Sequence, residues 1–395
     1  MIRRAGRFQK ARRTSFVPLP QDTGDILERK WRNWVEFESF KRIAYHAFLH
    51  DAQASMTLLA NPLVSYAEMN LHLPEPEEYW IAEDAIQWKS LFLRRERDNQ
   101  HQDPQPSLAG LLQQALMPSS LYEYQLTGFS NLIMLHGLWG MIWEYTQFLS
   151  LSKSAPGHNN ATITLRHQNL TQALNHFRFG FSETDEAHSA ETILILELLL
   201  MYLHMSLEEV QLFAGKEDQD EARRVLPSIQ QWIETPNSRQ AIWHASQVLR
   251  AARSTQPRQL NGFYAIALYH ASLTCWAYGL ISQMKGRSNN NSGLGDINSA
   301  PTAQAVWLDG PDGPEVRRFV ALGRGTPSIT LQPNAVTGAA ELVPLSNQEI
   351  TMGIFSETLR ANHLTQSNGD AAPPLVENLI QLMRDLGRAA GSVGH

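Results

Sequence analysis

Trp31-Arg-Asn-Trp34-Val-Glu36-Phe-Glu38-Ser39-Phe-Lys41-Arg42-Ile-Ala-Tyr45-His-Ala-Phe48-Leu-His-Asp51 is the stretch whose reading decides the fold. Trp31, Trp34 and Val35, then Tyr45, Phe48 and Leu49, recur three and four residues apart, which is the period of a helix with one buried face. Glu38 precedes Lys41 and Arg42 by three and four residues, the order that favours ion pairing along a helix. The spacing predicts a long amphipathic helix, or a kinked pair, over 26–59. Each aromatic side chain buried there contributes about 1.5 to 3 kcal/mol of transfer free energy. Glu38, Lys41, Arg42 and Asp51 are expected to form a partly buried charge network that sets the register of neighbouring helices.

Outward from this stretch the helical pattern persists. Pro62, Pro74 and Pro76 predict an extended crossing segment over 61–78. A helix is expected through Tyr79, Trp80, Ile81, Ala85 and Trp88, a loop over 94–106 and a short helix over 108–117. An apolar run follows over 121–151, then a polar loop over 152–160. Further helices are expected over 163–178, 187–214, 217–234, 238–253 and 262–283, with Gly215-Lys216 and Pro236-Asn237 as stops. Sustained strand-type alternation is nearly absent. Gly, Ser and Asn dominate 285–301, which reads as a flexible linker. Beyond it, 305–308 and 316–322 read as short extended or helical pieces, and 344–360 returns to helix. Pro373-Pro374 opens a terminal amphipathic helix with Leu375, Leu379, Leu382, Met383 and Leu386 on one face and Gly387 as its stop. That face is a candidate partner-binding surface, with packing on the chain's own core as its favoured use. No sustained heptad run supports a coiled coil.

The resulting expectation is an all-α, multi-helix fold with a small irregular C-terminal extension. The parts are a basic N-terminus (1–25), a helical domain (26–284), a linker (285–301) and an extension (302–395). Of the 395 residues 43% are hydrophobic, enough for one large core or two smaller ones. The formal net charge of −6 gives no global positive field for nucleic acid. Basic function is confined to Arg3, Arg4, Arg7, Lys10, Arg12 and Arg13, a candidate nuclear-import run. The apolar runs 190–205 and 263–281 contain Glu191, Glu197 and His270 and read as buried helices, so no membrane span is expected. Nothing early in the chain reads as a secretory signal, and an intracellular address is expected.

Few residues point to chemistry. Cys275 is the one cysteine, so these residues supply neither a disulfide framework nor a cysteine-based zinc site. His46 and His50, four apart on a helix, have the spacing at which two imidazoles face one metal ion. They lack the glutamate of a His-Glu-x-x-His site and read first as ordinary core or surface histidines, leaving them weak metal candidates. His244 and His270, inside apolar helices, read as hydrogen-bonded core residues. Gly323-Arg-Gly325 and Gly293-Leu-Gly295 lack the Lys-Ser/Thr of a phosphate loop and read as turns. The acidic pairs Glu83-Asp84, Asp185-Glu186 and Glu208-Glu209 are adjacent, so on a helix they diverge by about 100 degrees and form no converging catalytic pair.

The opening stretch resembles the helical signature of the fungal-specific transcription factor domain. Trp31, Trp34, Glu38, Lys41, Arg42, Tyr45, Phe48 and Asp51 carry the resemblance. Pro62, Glu68, Leu73-Pro74, Trp80-Ile-Ala82 and Trp88 follow in the order that domain shows. Later segments, Ile242 to Arg250, Phe263 to Ser272, Val306-Trp-Leu-Asp-Gly310 and Pro374 to Leu379, resemble the C-terminal half of the subgroup whose DNA-binding end carries C2H2 fingers. The resemblance implies a nuclear, RNA polymerase II-dependent regulator of a fungal pathway or gene cluster, with partners among the transcription machinery and other regulators. A small-molecule effector and homodimerisation are compatible with it. In such proteins zinc and sequence reading belong to finger modules. No zinc ligands precede Trp31 here, so the expectation is either a truncated product or fragment or a finger-less member, reaching DNA indirectly or through a missing module, with no cofactor, metal or catalytic residue of its own. The alternative is an α-helical small-molecule-binding protein or an enzyme of terpene-synthase-like type, for which the aspartate-rich metal motif is not found.

Overall fold

The computed structural model describes residues 17–97, 106–116, 126, 128–154, 160–179, 189–291, 304–331, 341–364 and 372–392. The fold is all-α, with fourteen α-helices and one three-stranded sheet among those residues. It divides into two compact units, Met1–Ala187 and His188–His395. The division falls inside the span 26–284 that reads as one domain in the sequence.

In the first unit the opening stretch lies within a single helix, α1 (Gly24–Leu58), unkinked by any proline. Leu59, at φ 50, closes it in the left-handed region, and Ala60 N–H bonds back to Ser55 O. The extended segment that follows contains a 3-10 turn (Tyr66–Glu68), which the prolines alone did not predict. The helix expected around Trp80 is two: α2 (Glu77–Trp80) and α3 (Ala85–Arg97). Helix α3 therefore runs into the expected loop 94–106. Trp34, Tyr79, Trp88, Leu27, Ala82 and Ala85 form a buried cluster against α1, with Phe92 stacked on Tyr79 at 4.3 Å.

Helix α4 (Leu108–Ala115) starts at Ser107, whose hydroxyl accepts Gly110 N–H. Helix α5 (Gly128–Ser154) is buried nearly all round in its first half, and α6 (Asn160–Phe179) packs beside it. Two glycines let neighbours approach α5 closely. A Cβ at Gly137 would meet Leu112 Cδ1 at 2.9 Å, and one at Gly140 would meet Tyr66 Cδ1 at 2.7 Å.

In the second unit the expected single helix over 187–214 is broken into α7 (Ala190–Leu203) and α8 (Leu207–Phe213), bent by 81°. Ser206 causes the break, since its hydroxyl caps Glu209 N–H and restarts the helix. Helices α9 (Gln219–Ile233), α10 (Pro236–Arg253) and α11 (Gly262–Asn291) follow. Pro236 at the first turn and Thr235 as cap explain the sharp start of α10. Helix α11 extends to Asn291, so 285–291 is helix where a linker is expected; the remainder of that linker lies outside the described residues.

The later residues contain a sheet that periodicity did not reveal. Strand β1 (Ala305–Trp307) pairs in parallel with β2 (Thr326–Thr330) across α12 (Pro314–Leu322), and β2 pairs antiparallel with β3 (Leu342–Pro344). Strands of three to five residues are too short to show alternation. Helix α13 (Gln348–His363) starts at its Asn347 cap, and α14 (Pro374–Ser392) packs against it. These elements are not set apart from the helices before them: α12 packs on α10, α13 on α10 and α11, and α14 on α11.

Two expectations about α14 are corrected. Gly387 does not stop the helix but lies within it, where its missing Cβ admits Glu349 Cα at 3.2 Å. The buried face is Val376, Leu379, Ile380 and Met383, while Leu375 and Leu382 are 41% and 42% exposed. Among the described residues no single helix is long and apolar enough to cross a membrane, although the bent α7–α8 pair passes by composition and length.

Candidate functional site

The signature residues assemble around an extended piece of backbone. Glu38, Lys41, Arg42 and Tyr45 lie three and four residues apart on one face of α1 and meet residues 71–75. Tyr45 Oη donates to Leu71 O at 2.6 Å and Lys41 Nζ to Leu73 O at 3.2 Å. Glu75 N–H donates to Glu38 Oε1 at 2.9 Å, and Arg42 Nη2 donates to Glu75 O at 2.9 Å. Only residues 71, 73 and 75 are used because alternate residues of an extended chain point the same way. Leu73 N–H pairs instead with Pro106 O, and His72 bridges to Ser107, beside the start of α4. The segment therefore has its polar groups met without joining a sheet.

Glu38 is fully buried and carries two cations, Lys41 at 2.7 Å and Arg42 at 3.2 Å. Arg42 also lies over the Trp80 ring at 4.9 Å, which ties α2 to the same point. Burial pushes the Tyr45 hydroxyl well above its ordinary range, so it is always a donor. Asp51 does not join this network: its carboxylate accepts Val64 N–H at 2.8 Å, one stage earlier in the crossing segment. Trp31 and Trp34 pack in the aromatic cluster, Phe48 and Pro74 are buried, and Pro62 is half-buried. Glu38 Oε1 accepts both Glu75 N–H and Arg42 Nε while Oε2 faces Lys41, so the carboxylate acts to fix the register of α1 against this segment.

The segments singled out in the later half also meet one another. In α10, Gln247 Nε2 donates to Leu308 O and Gly310 O at 2.7 and 2.8 Å, and Arg250 donates to Gly310 O at 3.1 Å. Arg253 pairs with Asp309 at 2.6 Å, and Asp309 accepts both Thr330 N–H at 3.0 Å and the Thr330 hydroxyl at 3.2 Å. Helix α10 thus reads the Leu308–Gly310 turn and pins β1 to β2. His244 bonds Glu197 at 2.7 Å and its ring lies parallel to that of His204 at 5.9 Å; His270 bonds Tyr202 Oη at 2.8 Å. Burial lowers the His270 pKa to about 3. The sequence signals for this network are His244 and His270, which read as hydrogen-bonded core residues, and Glu197, a carboxylate inside a leucine run.

Other candidates stand apart from these networks. His46 and His50 are both exposed on α1, and His46 stacks on Phe129 at 4.6 Å. Among the described residues no three His, Cys, Asp or Glu side chains converge as a metal set. Gly323 and Gly325, at φ 68 and 108, are turn residues closing α12. Asp84 accepts Gln87 N–H and Glu209 accepts the Ser228 hydroxyl, so one member of each of those pairs has a local structural task. Arg3, Arg4, Arg7, Lys10, Arg12 and Arg13, like Gly293-Leu-Gly295 and Asp185-Glu186, lie outside the described residues.

The fold and these contacts define a helical domain whose singled-out residues hold its own backbone in register rather than converge on a reacting group. The family model described as the fungal specific transcription factor domain matches residues 6–205, and the chain belongs to that family. Curated relatives extend the similarity beyond it. A transcription factor of Zymoseptoria tritici is 22% identical over 87% of this chain and 38% of its own length. Transcription factor 1 of Elsinoe fawcettii is 25% identical over 86% of this chain and 36% of its own, and zinc finger protein klf1 of Schizosaccharomyces pombe is 25% identical over 68% and 36%. The chain spans less than two fifths of the length of these relatives. No solved structure matches it.

Proposed function

We propose that this chain is the helical regulatory part of a fungal regulator of RNA polymerase II transcription, acting in the nucleus through contacts with other regulators or the transcription machinery, and not as an enzyme. The observation that carries the reading is the family match over residues 6–205, together with relatives named as transcription factors. The signature latch supports it, because its charged groups are consumed in holding α1 to residues 71–75. With one cysteine in these 395 residues, zinc-dependent DNA reading falls to another module or a partner. A small-molecule effector and homodimerisation belong to the same reading. Nothing in the comparisons favours the terpene-synthase-like alternative.

The test is chromatin immunoprecipitation of the tagged native-length protein, paired with DNA binding by the purified 395-residue chain. Promoter enrichment without intrinsic DNA binding is expected. Absence of enrichment, or turnover of a prenyl diphosphate abolished by a single carboxylate variant, overturns the reading.

A further inference from the structure

We propose that His46 and His50 form a solvent-facing, bidentate chelate on α1 for a divalent ion of the copper or nickel class. The two residues are one helical turn apart on the same face, and both are exposed. Neither imidazole has a hydrogen-bond partner among the described residues, and both residues are exposed. His46 is preoriented by its stacking on Phe129 of α5, at 4.6 Å and 30° between planes. That contact reduces the ordering a metal would otherwise impose.

The surroundings leave the site accessible. Ala47 and Ala54, small and exposed, flank it on α1. Arg42, one turn before His46, has its guanidinium drawn away to Glu38, Glu75 and Trp80. His136 of α5 is not a third ligand, since its two ring nitrogens engage Leu132 O at 2.6 Å and the Gln53 amide at 3.2 Å. With two protein ligands, water completes the coordination. Selection then follows the intrinsic order for imidazole, in which copper and nickel exceed iron and manganese. The inference stands apart from the regulatory reading, because it needs only the α1 surface.

The experiment is titration of the untagged 395-residue chain with copper(II) chloride in a non-coordinating buffer, read by calorimetry and the visible d–d band. A first equivalent is expected to bind at least tenfold more weakly in His46→Ala and in His50→Ala, and unchanged in His176→Ala. Since His46 packs on Phe129, His50→Ala, which removes no ring contact, is the deciding variant, with far-ultraviolet circular dichroism confirming its helix content. An unchanged first equivalent in His50→Ala overturns the proposal, and so does weakening in only one of the two variants.

Discussion

A Cβ placed on Gly279 of α11 would stand 1.9 Å from the carbonyl oxygen of Leu345, in the turn between β3 and α13. The glycine is a notch through which the backbone of the later elements docks on α11. Gly279→Ala must push that backbone aside and is expected to cost at least about 2 kcal/mol. Gly286, in the same helix, meets nothing within 4 Å, so Gly286→Ala should stabilise by about 0.5 to 1 kcal/mol. Urea unfolding of the two variants checks both; equal effects would refute the notch.

Glu38 offers a second test. Glu38→Ala leaves Lys41, only 3% exposed, without its counter-charge and should cost about 3 to 5 kcal/mol. Replacing Glu38 and Lys41 together by methionine should cost less than Glu38→Ala alone, because the buried Lys41 charge is no longer orphaned, while Arg42 loses its carboxylate in both. A double-mutant cycle measures the difference, and simple additivity would rule out the latch.

At His136 the sign of the pH dependence follows from its burial. Desolvation lowers its pKa to about 4 from 6.5, so between those values the unfolded chain holds the extra proton. The contribution is complete above pH 6.5 and is lost as pH falls toward about 4. Acidification from pH 7 to pH 5 should remove about 2 kcal/mol through this group. His136→Gln should flatten the pH slope of urea stability by that amount; an unchanged slope would contradict the assignment.

For Asp309, removal of the carboxylate takes the counter-charge from Arg253, which keeps only Thr330 O, and the acceptor from Thr330 N–H. Asp309→Ala is expected to cost about 3 to 5 kcal/mol, and Asp309→Asn less. Hydrogen exchange at the Thr330 amide should accelerate in Asp309→Ala while amides of α7 stay protected. Uniform acceleration would mean that the clamp is not local.

Much of this was legible in the residues. The three-and-four spacing of Trp31, Trp34, Tyr45 and Phe48 defined α1, and Glu38 with Lys41 and Arg42 announced a charge network, because both patterns are local. The network's target was not legible, since an unpaired extended segment has no periodic signature. Asp51 was grouped with Glu38 by proximity in sequence, yet its carboxylate meets Val64 instead. In α14, counting leucines chose Leu375 and Leu382 for the core face, whereas Val376 and Ile380 occupy it and those leucines are exposed.

By itself the sequence determined the helical class, the register of α1 and the resemblance that named the family, because each depends on residues within a few turns of one another. Only the tertiary structure decided which backbone the signature holds, where α7 bends, that 305–344 contain a sheet, and that Gln247, Arg250 and Arg253 read the turn at 308–310. The side-chain contacts of Tyr45, Gln247, Arg250 and Arg253 join residues 26 or more positions apart, and the strand pairings join residues 12 to 21 apart. Their energy depends on burial and geometry that no local pattern encodes.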